Sequence, residues 1–255
     1  MTDVTPSDHL RDVYERRGGE EYAEPVVPDP ALDRKFEVLT QEIGRLLPAE
    51  SFLDAGCGDG RYLAALALLG PPPERIVGVD IAESILGTAR RATAAAAAGY
   101  EPELVRANLE RLPLGDGEFD VVVSVQVLEH LIDPGAGLKE LARVLRPGGT
   151  LLLSTDNRRN LITRTLNGPR WALARIARKR NFRVRFAFPH GNFTTRELTR
   201  LLNDSGLVVE RTRTFRFSVV GASPRVRRVF NRIDRRLPDL GVGDILLAVA
   251  RRSGP

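Results

Sequence analysis

The segment at residues 119–125, Phe-Asp-Val-Val-Val-Ser-Val, is the feature that most restricts the fold of this chain. Its apolar residues run almost without interruption, so both of its faces must be covered. Strands of this kind are typical of the interior of a parallel sheet. Consecutive parallel strands need a crossover connection, usually a helix. The chain is therefore expected to alternate strands with helices.

The hydrophobic pattern around this segment predicts that alternation. Further strands are predicted at residues 51–54, 75–80, 103–107, 150–154, 206–214 and 244–250. Helices are predicted at residues 32–47, 61–69 and 137–145, in a segment ending with the alanine run 94–98, and at residues 198–205. These elements predict an α/β fold, a Rossmann-like doubly wound seven-stranded sheet with one antiparallel edge strand. A helical insertion is expected after the fifth strand.

Composition narrows the class of protein. The chain has 255 residues, one cysteine and a net charge of +5. A single cysteine, Cys57, excludes a disulfide framework and a multi-cysteine metal site. No apolar run is long enough to span a bilayer, and the charged start at residues 1–24 does not resemble a secretion signal. We expect a cytoplasmic protein, with association to a membrane surface left open.

A glycine loop lies between the first predicted strand and the following helix, with the sequence Asp54-Ala-Gly-Cys-Gly-Asp-Gly60. Glycines allow a tight turn and a close approach to a ligand, and the helix that follows presents free N–H groups. Asp80 ends the next strand, where a carboxylate can accept hydrogen bonds from the two hydroxyls of a ribose. Nicotinamide enzymes share this combination. Here, however, Arg61 occupies the place of the last glycine of the dinucleotide pattern, and Asp54 precedes the loop, where it can fix the loop or a ligand's ammonium group.

These motifs resemble those of class I S-adenosylmethionine-dependent methyltransferases, and residues 119–134 and 138–154 resemble the type 11 family in particular. The resemblance implies S-adenosyl-L-methionine as cofactor. Gly56, Gly58 and Gly60 would line its methionine part, Asp80 would hold the ribose and Ile81 would pack on the adenine. Asn108 stands where the family commonly has an adenine-binding Asp, and its carbonyl can accept the same bond. The predicted cofactor-binding residues are Asp54, Gly56, Cys57, Gly58, Gly60, Asp80, Ile81, Asn108, Leu109 and Gln126, with Cys57 interpreted as a small apolar residue.

Candidate catalytic residues follow the fourth strand, at the carboxyl edge of the sheet where ligands bind. His130 is the candidate general base because imidazole titrates near neutral pH, and Glu129 is a candidate to orient or assist it. The alternative is that both only begin a helix. Residues 128–134 are locally similar to ubiquinone-biosynthesis O-methyltransferases, in which an E-x-x-E-H group is associated with a divalent cation. Gln126 replaces the first acid here, so no metal is predicted.

Residues 157–190 contain ten basic residues and no acid. Apolar residues, among them Trp171, recur there at roughly helical spacing. A basic helical lid that contacts an anionic membrane surface is one interpretation, and a cap packed on the core is the other. Nucleic acid is disfavoured because few aromatic residues are present for stacking. The predicted organisation is a flexible arm at residues 1–30, with one short helix around residues 10–17, and a methyltransferase domain at residues 31–255 that carries this lid.

The predicted reaction is O-methylation of a hydroxyl or phenol on a hydrophobic small molecule, quinone-, lipid- or polyketide-like. Methylation of carbon on a similar acceptor is the alternative within the class. An NAD-dependent oxidoreductase is the alternative outside it, although the sequence has no Tyr-x-x-x-Lys motif.

Overall fold

The computed structural model describes residues 6–20, 28–29, 32–96, 99–160, 191–216 and 223–254. The greater part of the predicted insertion, residues 161–190, lies outside these ranges. The lid, with its membrane contact, therefore stays a prediction. In the described part of the chain, none of the helices has the length and apolar character needed to cross a bilayer.

The described strands form one seven-stranded sheet in the order β3-β2-β1-β4-β5-β7-β6. The strands are β1 Ser51–Ala55, β2 Arg75–Asp80, β3 Glu103–Arg106, β4 Phe119–Val125, β5 Leu145–Asp156, β6 Leu207–Phe215 and β7 Ile245–Arg252. The first five are mutually parallel, and β7 is antiparallel to both β5 and β6. The Rossmann-like doubly wound α/β fold is confirmed.

The antiparallel strand β7 lies one place inside the edge, and β6 is the edge strand. The burial of the two strands explains this order. Residues 245–250 of β7 are all buried, as expected for a strand with a neighbour on each side. In β6, buried and exposed residues are mixed, and Val208 is 57% exposed.

Helices cover both faces of the sheet. They are α1 Pro6–Glu20, α2 Arg34–Gly44, α3 Arg61–Ala65 with a 3₁₀ turn at Leu66–Leu68, α4 Glu83–Ala95, a 3₁₀ turn at Leu128–His130, α5 Pro134–Val144, α6 Thr195–Asp204 and α7 Pro224–Arg236. Side-chain hydrogen bonds to backbone N–H groups determine where several of these helices begin. Asp33 and Asp133 accept hydrogen bonds from backbone N–H groups in the first turns of α2 and α5, and Thr194 begins α6 with a capping box.

Two apolar cores lie on opposite faces of the sheet. Because side chains alternate along a strand, Leu53 of β1 belongs to the core shared with α5 and α6, whereas its neighbour Phe52 belongs to the core shared with α2 and α3. Both residues are fully buried. The sheet therefore has no solvent-facing side at its centre, and its carboxyl edge is where a ligand can reach it.

Three helices differ from the sequence-based expectation. The short helix expected around residues 10–17, within the predicted arm, extends over the fifteen residues of α1 and packs against α4. The helix expected at residues 61–69 changes to a 3₁₀ turn at Leu66. α7 was not predicted from the sequence; it buries Asn231 and Asp234 and leaves Val226, Val229 and Ile233 exposed.

Candidate functional site

A cleft of about 220 Å³ opens at the carboxyl ends of β1, β2 and β4. This is the edge at which ligands bind in open α/β sheets. Nine residues predicted for the site lie in its wall: Gly56, Cys57, Gly58, Asp80, Ile81, Asn108, Leu109, Gln126 and His130. Asp54, Gly60 and Glu129 lie behind that wall. The fold thus brings segments that are far apart in sequence to one cavity.

The loop glycines serve different purposes. Gly60 has φ +77°, and a Cβ there would lie 2.8 Å from the Cα of Ala89 in α4. Its lack of a side chain therefore lets α3 and α4 pack closely. Gly58 has φ +55°, and a Cβ there would meet nothing within 4 Å. Because Gly58 also lines the cleft, its missing side chain leaves room for a ligand.

Asp80 connects the glycine loop to the end of β2. Its Oδ2 accepts a hydrogen bond from the Gly58 N–H (3.0 Å), and its Oδ1 accepts one from the Ala82 N–H (3.1 Å). Burial raises the pKa of the carboxyl group even with these bonds. Each carboxylate oxygen can accept a second bond. The geometry leaves Asp80 able to accept from the hydroxyls of a ribose.

Asp54 is a buried acid that has no hydrogen-bond partner among the described residues. The residue is 1% exposed, and neither carboxylate oxygen has a hydrogen-bond partner in the described part of the chain. Burial, with the nearby charges of Asp80 and Asp59, raises its pKa to about 8. Asp59 itself is neutralised by Arg61, with 2.5 Å between Nη2 and Oδ2.

These acids allow a test of cofactor fit. S-adenosylmethionine carries a cationic ammonium group and a sulfonium, whereas a dinucleotide brings an anionic pyrophosphate to the glycine loop. A positive group near Asp54 and Asp80 would relieve the cost of burying their charge, and a pyrophosphate would increase it. The acids and the open space beside Gly58 therefore fit S-adenosylmethionine better than NAD.

Ile81, Asn108 and Leu109 lie together in the cleft wall at the ends of β2 and β3. The Oδ1 of Asn108 accepts a hydrogen bond from the Glu110 N–H (2.9 Å), so this oxygen already holds its own loop. The Asn108 amide donates to the Ser7 hydroxyl of α1 at 3.4 Å. A second lone pair on Oδ1 remains for an adenine amino group, as the sequence predicts.

Gln126 and His130 lie at the end of β4 and in the wall of the same cleft. Gln126 has φ +56°, a left-handed conformation that is costly for a residue with a side chain. Its Nε2 is buried and makes no hydrogen bond in the described residues. A strained residue with a donor left unpaired indicates a position kept for a ligand.

Glu129 does not line the cleft. It is 2% exposed, and its Oε2 accepts a hydrogen bond from the Thr155 hydroxyl of β5 at 2.8 Å. Burial, followed by the charge of Asp156, raises its pKa to about 8. The carboxyl group is therefore held by β5, and it can anchor the turn at Leu128–His130 that carries the imidazole. A role for Glu129 in the reaction stays a prediction.

Residues of α1 and α2 complete the cleft, and the sequence did not predict them. Leu10, Tyr14 and Arg17 of α1 and Lys35 of α2 all line it. The Tyr14 ring meets the His130 ring edge-on, with centroids 5.9 Å apart. Lys35 lies in the first turn of α2, and its burial, with the nearby charge of Arg216, lowers its pKa. No motif marks these residues, because only long-range packing brings them to the cleft.

A specific contact holds α1 in place. The Glu15 carboxylate accepts hydrogen bonds from the Glu83 N–H (2.7 Å) and the Ser84 N–H (3.0 Å), two free donors at the start of α4. The helices also pack closely, because a Cβ at Gly18 would lie 2.1 Å from the Ser84 hydroxyl. Residues 6–20 are therefore part of the site.

Comparison with known proteins gives the family. A methyltransferase-domain model matches residues 53–153. A ubiquinone biosynthesis O-methyltransferase of Thiobacillus denitrificans is 31% identical over 165 residues, covering 64% of this chain and 67% of that protein. O-methyltransferase cnsE of Penicillium expansum is 34% identical over 133 residues, covering 49% of this chain and 48% of that protein. The chain spans about half the length of most of the curated relatives it matches.

Solved structures share the fold. Magnesium protoporphyrin IX methyltransferase from Synechocystis PCC 6803, with bound SAH, superposes with a TM-score of 0.62 at 20% identity, covering 97% of this chain and 99% of that one. The glycine loop and Asp80, the acid that ends β2, lie within the residues that the methyltransferase-domain model matches. The chain belongs to the class I S-adenosylmethionine-dependent methyltransferases.

Proposed function

We propose that this protein transfers a methyl group from S-adenosylmethionine to a hydroxyl or phenol of a hydrophobic small molecule. The observation that carries the proposal is the cleft itself. The glycine loop and the imidazole of His130, which can take a proton, line one cavity. The loop begins beside Asp54, a buried acid with no hydrogen-bond partner in the described part of the chain. A methyl transfer to oxygen needs a cationic cofactor and a base at one place.

When bound, S-adenosylmethionine supplies a methyl group that is already strongly electrophilic. The protein's contribution is therefore to hold both reactants and to remove a proton. Gly58 and Asp80 would hold the cofactor, and Asn108 with Ile81 would hold its adenine ring. His130 would accept the proton from the acceptor hydroxyl. Tyr14, packed against His130, would limit the access of water and the movement of the ring.

The walls of the cleft support an apolar acceptor. Leu10, Ile85, Val127 and Leu131 line it beside the polar groups already described. The named functions of the Thiobacillus and Penicillium relatives, both O-methyltransferases, agree with a hydroxyl or phenol acceptor. A quinone-, lipid- or polyketide-like compound is the acceptor class we propose.

Calorimetric titration with S-adenosylhomocysteine, and separately with NAD, tests the cofactor. We expect micromolar binding of S-adenosylhomocysteine, a loss of at least tenfold in affinity in Asp80→Ala, and no binding of NAD. Asp116→Ala, at an aspartate that is 75% exposed, is the matched control and should bind as the wild type does. Binding of NAD alone would favour the oxidoreductase.

Incubation with methyl-labelled S-adenosylmethionine and a panel of catechols, phenols and hydroquinones tests the acceptor. Product analysis by mass spectrometry and NMR distinguishes a methyl ether from a methyl on carbon. A methyl ether supports the proposal. A carbon–methyl bond would leave the cofactor assignment intact and replace O-methylation by C-methylation.

A further inference from the structure

The helix α7 turns two polar residues toward the protein and leaves its aliphatic residues exposed. Asn231 and Asp234 are its buried residues, 8% and 5% exposed. An ordinary surface helix buries its apolar stripe and exposes its polar residues. The reversed orientation of α7 leaves an apolar stripe on the surface.

Ion pairs and hydrogen bonds hold α7 in this orientation. The Oδ2 of Asp234 accepts a hydrogen bond from Nε of Arg34 in α2 at 2.7 Å, and its Oδ1 accepts one from the Arg216 N–H at 2.8 Å. In the opposite direction, Arg235 of α7 forms two bonds to the Glu37 carboxylate of α2, at 3.0 and 2.9 Å. Turning α7 over would break the buried Arg34–Asp234 pair and both bonds between Arg235 and Glu37. The outward face is therefore fixed by the fold.

The outward stripe consists of three aliphatic residues at helical spacing. Val226 is 40% exposed, Val229 is 56% exposed and Ile233 is 46% exposed. The stripe continues beyond the helix with Leu237, 38% exposed, and Leu240, 56% exposed. At 100° per residue the three helical positions fall within one narrow sector of the helix.

A row of arginines runs beside the stripe. Arg225, Arg232 and Arg236 are all exposed, and the helical period places them on one side of the aliphatic residues. The single acid of α7, Asp234, is paired in the interior. The exposed face therefore combines an aliphatic stripe with arginines that form no ion pair with an acid in the described part of the chain.

We propose that this face of α7 docks on an anionic lipid bilayer. A helix that lies in a membrane interface needs aliphatic side chains to enter the acyl boundary and basic side chains to reach the headgroups. Arginine suits the second role, since its long stem can follow the apolar surface while its charge stays at the phosphates. A nucleic acid would use the charge but not the valines and isoleucine. The one aromatic residue of α7, Phe230, is half-buried.

The attachment of α7 gives this docking a consequence for the proposed function. α7 is bound to α2 next to Lys35, and to Arg216, whose charge acts on Lys35 in the wall of the cleft. Docking would therefore hold the cleft close to the bilayer, where a hydrophobic acceptor is concentrated. This consequence rests on the proposed function, whereas the docking does not.

Vesicle flotation of the full chain tests the docking. Vesicles of phosphatidylcholine with phosphatidylglycerol should retain the protein, and vesicles of phosphatidylcholine alone should retain at least tenfold less. Arg232→Gln/Arg236→Gln should weaken binding about 25-fold, roughly fivefold for each arginine at the surface. Val229→Gln/Ile233→Gln should weaken it at least tenfold. Since these side chains are exposed, folding should be unaffected.

Matched controls are available on other surfaces. Leu68→Gln removes an aliphatic side chain that is 81% exposed, and Arg90→Gln/Arg200→Gln removes two exposed arginines. Both should bind vesicles as the wild type does. Equal loss in the control and test variants, or no binding to the anionic vesicles, would overturn the proposal. So would a dimer in vesicle-free solution that Val229→Gln/Ile233→Gln dissociates, or tighter binding to duplex RNA than to vesicles.

Binding of S-adenosylhomocysteine by the same variants separates this proposal from the proposed function. The α7 variants should keep wild-type affinity, because none of the substituted residues lines the cleft. Vesicle binding without S-adenosylhomocysteine binding would refute the methyltransferase proposal alone. The reverse result would refute the docking alone.

Discussion

The unpaired carboxyl group of Asp54 predicts how the stability of the protein depends on pH. Its pKa is raised from 3.8 to about 8, mainly by burial. An acid with a raised pKa keeps its proton in the folded protein and has released it in the unfolded chain. Stability is therefore greatest below about pH 4 for this group, and is lost as the pH rises towards 8. A window of about four pH units, at 1.36 kcal/mol each, corresponds to about 6 kcal/mol at most.

Asp54→Asn removes this titration while preserving the shape of the side chain. Urea unfolding from acid to mildly alkaline pH should show a flatter dependence in the variant than in the wild type. The variant should be the more stable of the two at pH 8. Asp204→Asn, at an aspartate that is 67% exposed, is the control and should not change the pH dependence.

Cofactor binding should reverse the shift. A ligand's ammonium group near Asp54 favours the carboxylate and lowers its pKa. At pH 7, one unit below a pKa of about 8, roughly nine tenths of the free protein would be protonated at Asp54. Binding of S-adenosylhomocysteine should then release up to about one proton, and Asp54→Asn should release correspondingly less. Calorimetry in buffers of different ionisation enthalpy measures this number.

Two results would refute this reasoning. An identical pH dependence of wild type and Asp54→Asn would mean that the Asp54 carboxyl group is not a protonated, unpaired acid in the free protein. Equal proton release by both on binding would mean that the ligand's cation does not act on Asp54. In the second case the fit of the cofactor would have to rest on the glycine loop and Asp80.

Three further predictions concern the cleft. Gly60→Ala should lower the free energy of unfolding in urea by about 3 kcal/mol, because its Cβ would overlap Ala89 at a positive φ. Gly58→Ala should lower it by only about 1 kcal/mol but weaken S-adenosylhomocysteine binding at least tenfold. The opposite ranking would contradict the roles given to the two glycines. Glu15→Ala should remove the cap on α4, increase the rate of amide hydrogen exchange in α1 about fivefold and lower cofactor affinity severalfold. An unchanged exchange rate would show that this contact does not hold α1. His130→Gln should lower kcat on a phenol about 100-fold or more while cofactor affinity is kept. An unchanged kcat would exclude His130 as the base.

Much of the fold could be predicted because its signals are local. The apolar run at residues 119–125 required a covered parallel strand, and its bounds agree with β4. The sequence also predicted a ligand site at the sheet edge. The signals were the glycines at 56, 58 and 60 before a helix, and Asp80 at the end of the next strand. In each case the chemistry lies within a few residues, and the rule that parallel strands end at one edge of the sheet brings the pieces together.

Tertiary structure decided the features that depend on contacts between distant segments. The start of the chain carries no motif that marks a ligand site, yet Glu15 caps α4 and brings Tyr14 to His130. Lys35 enters the cleft only because α2 packs beside the sheet. The outward face of α7 depends on Arg34, about 200 residues earlier, which pairs with Asp234 and holds the polar side inward. Sequence patterns report which side of a helix is apolar, but the free energy of a buried ion pair determines which side faces the protein.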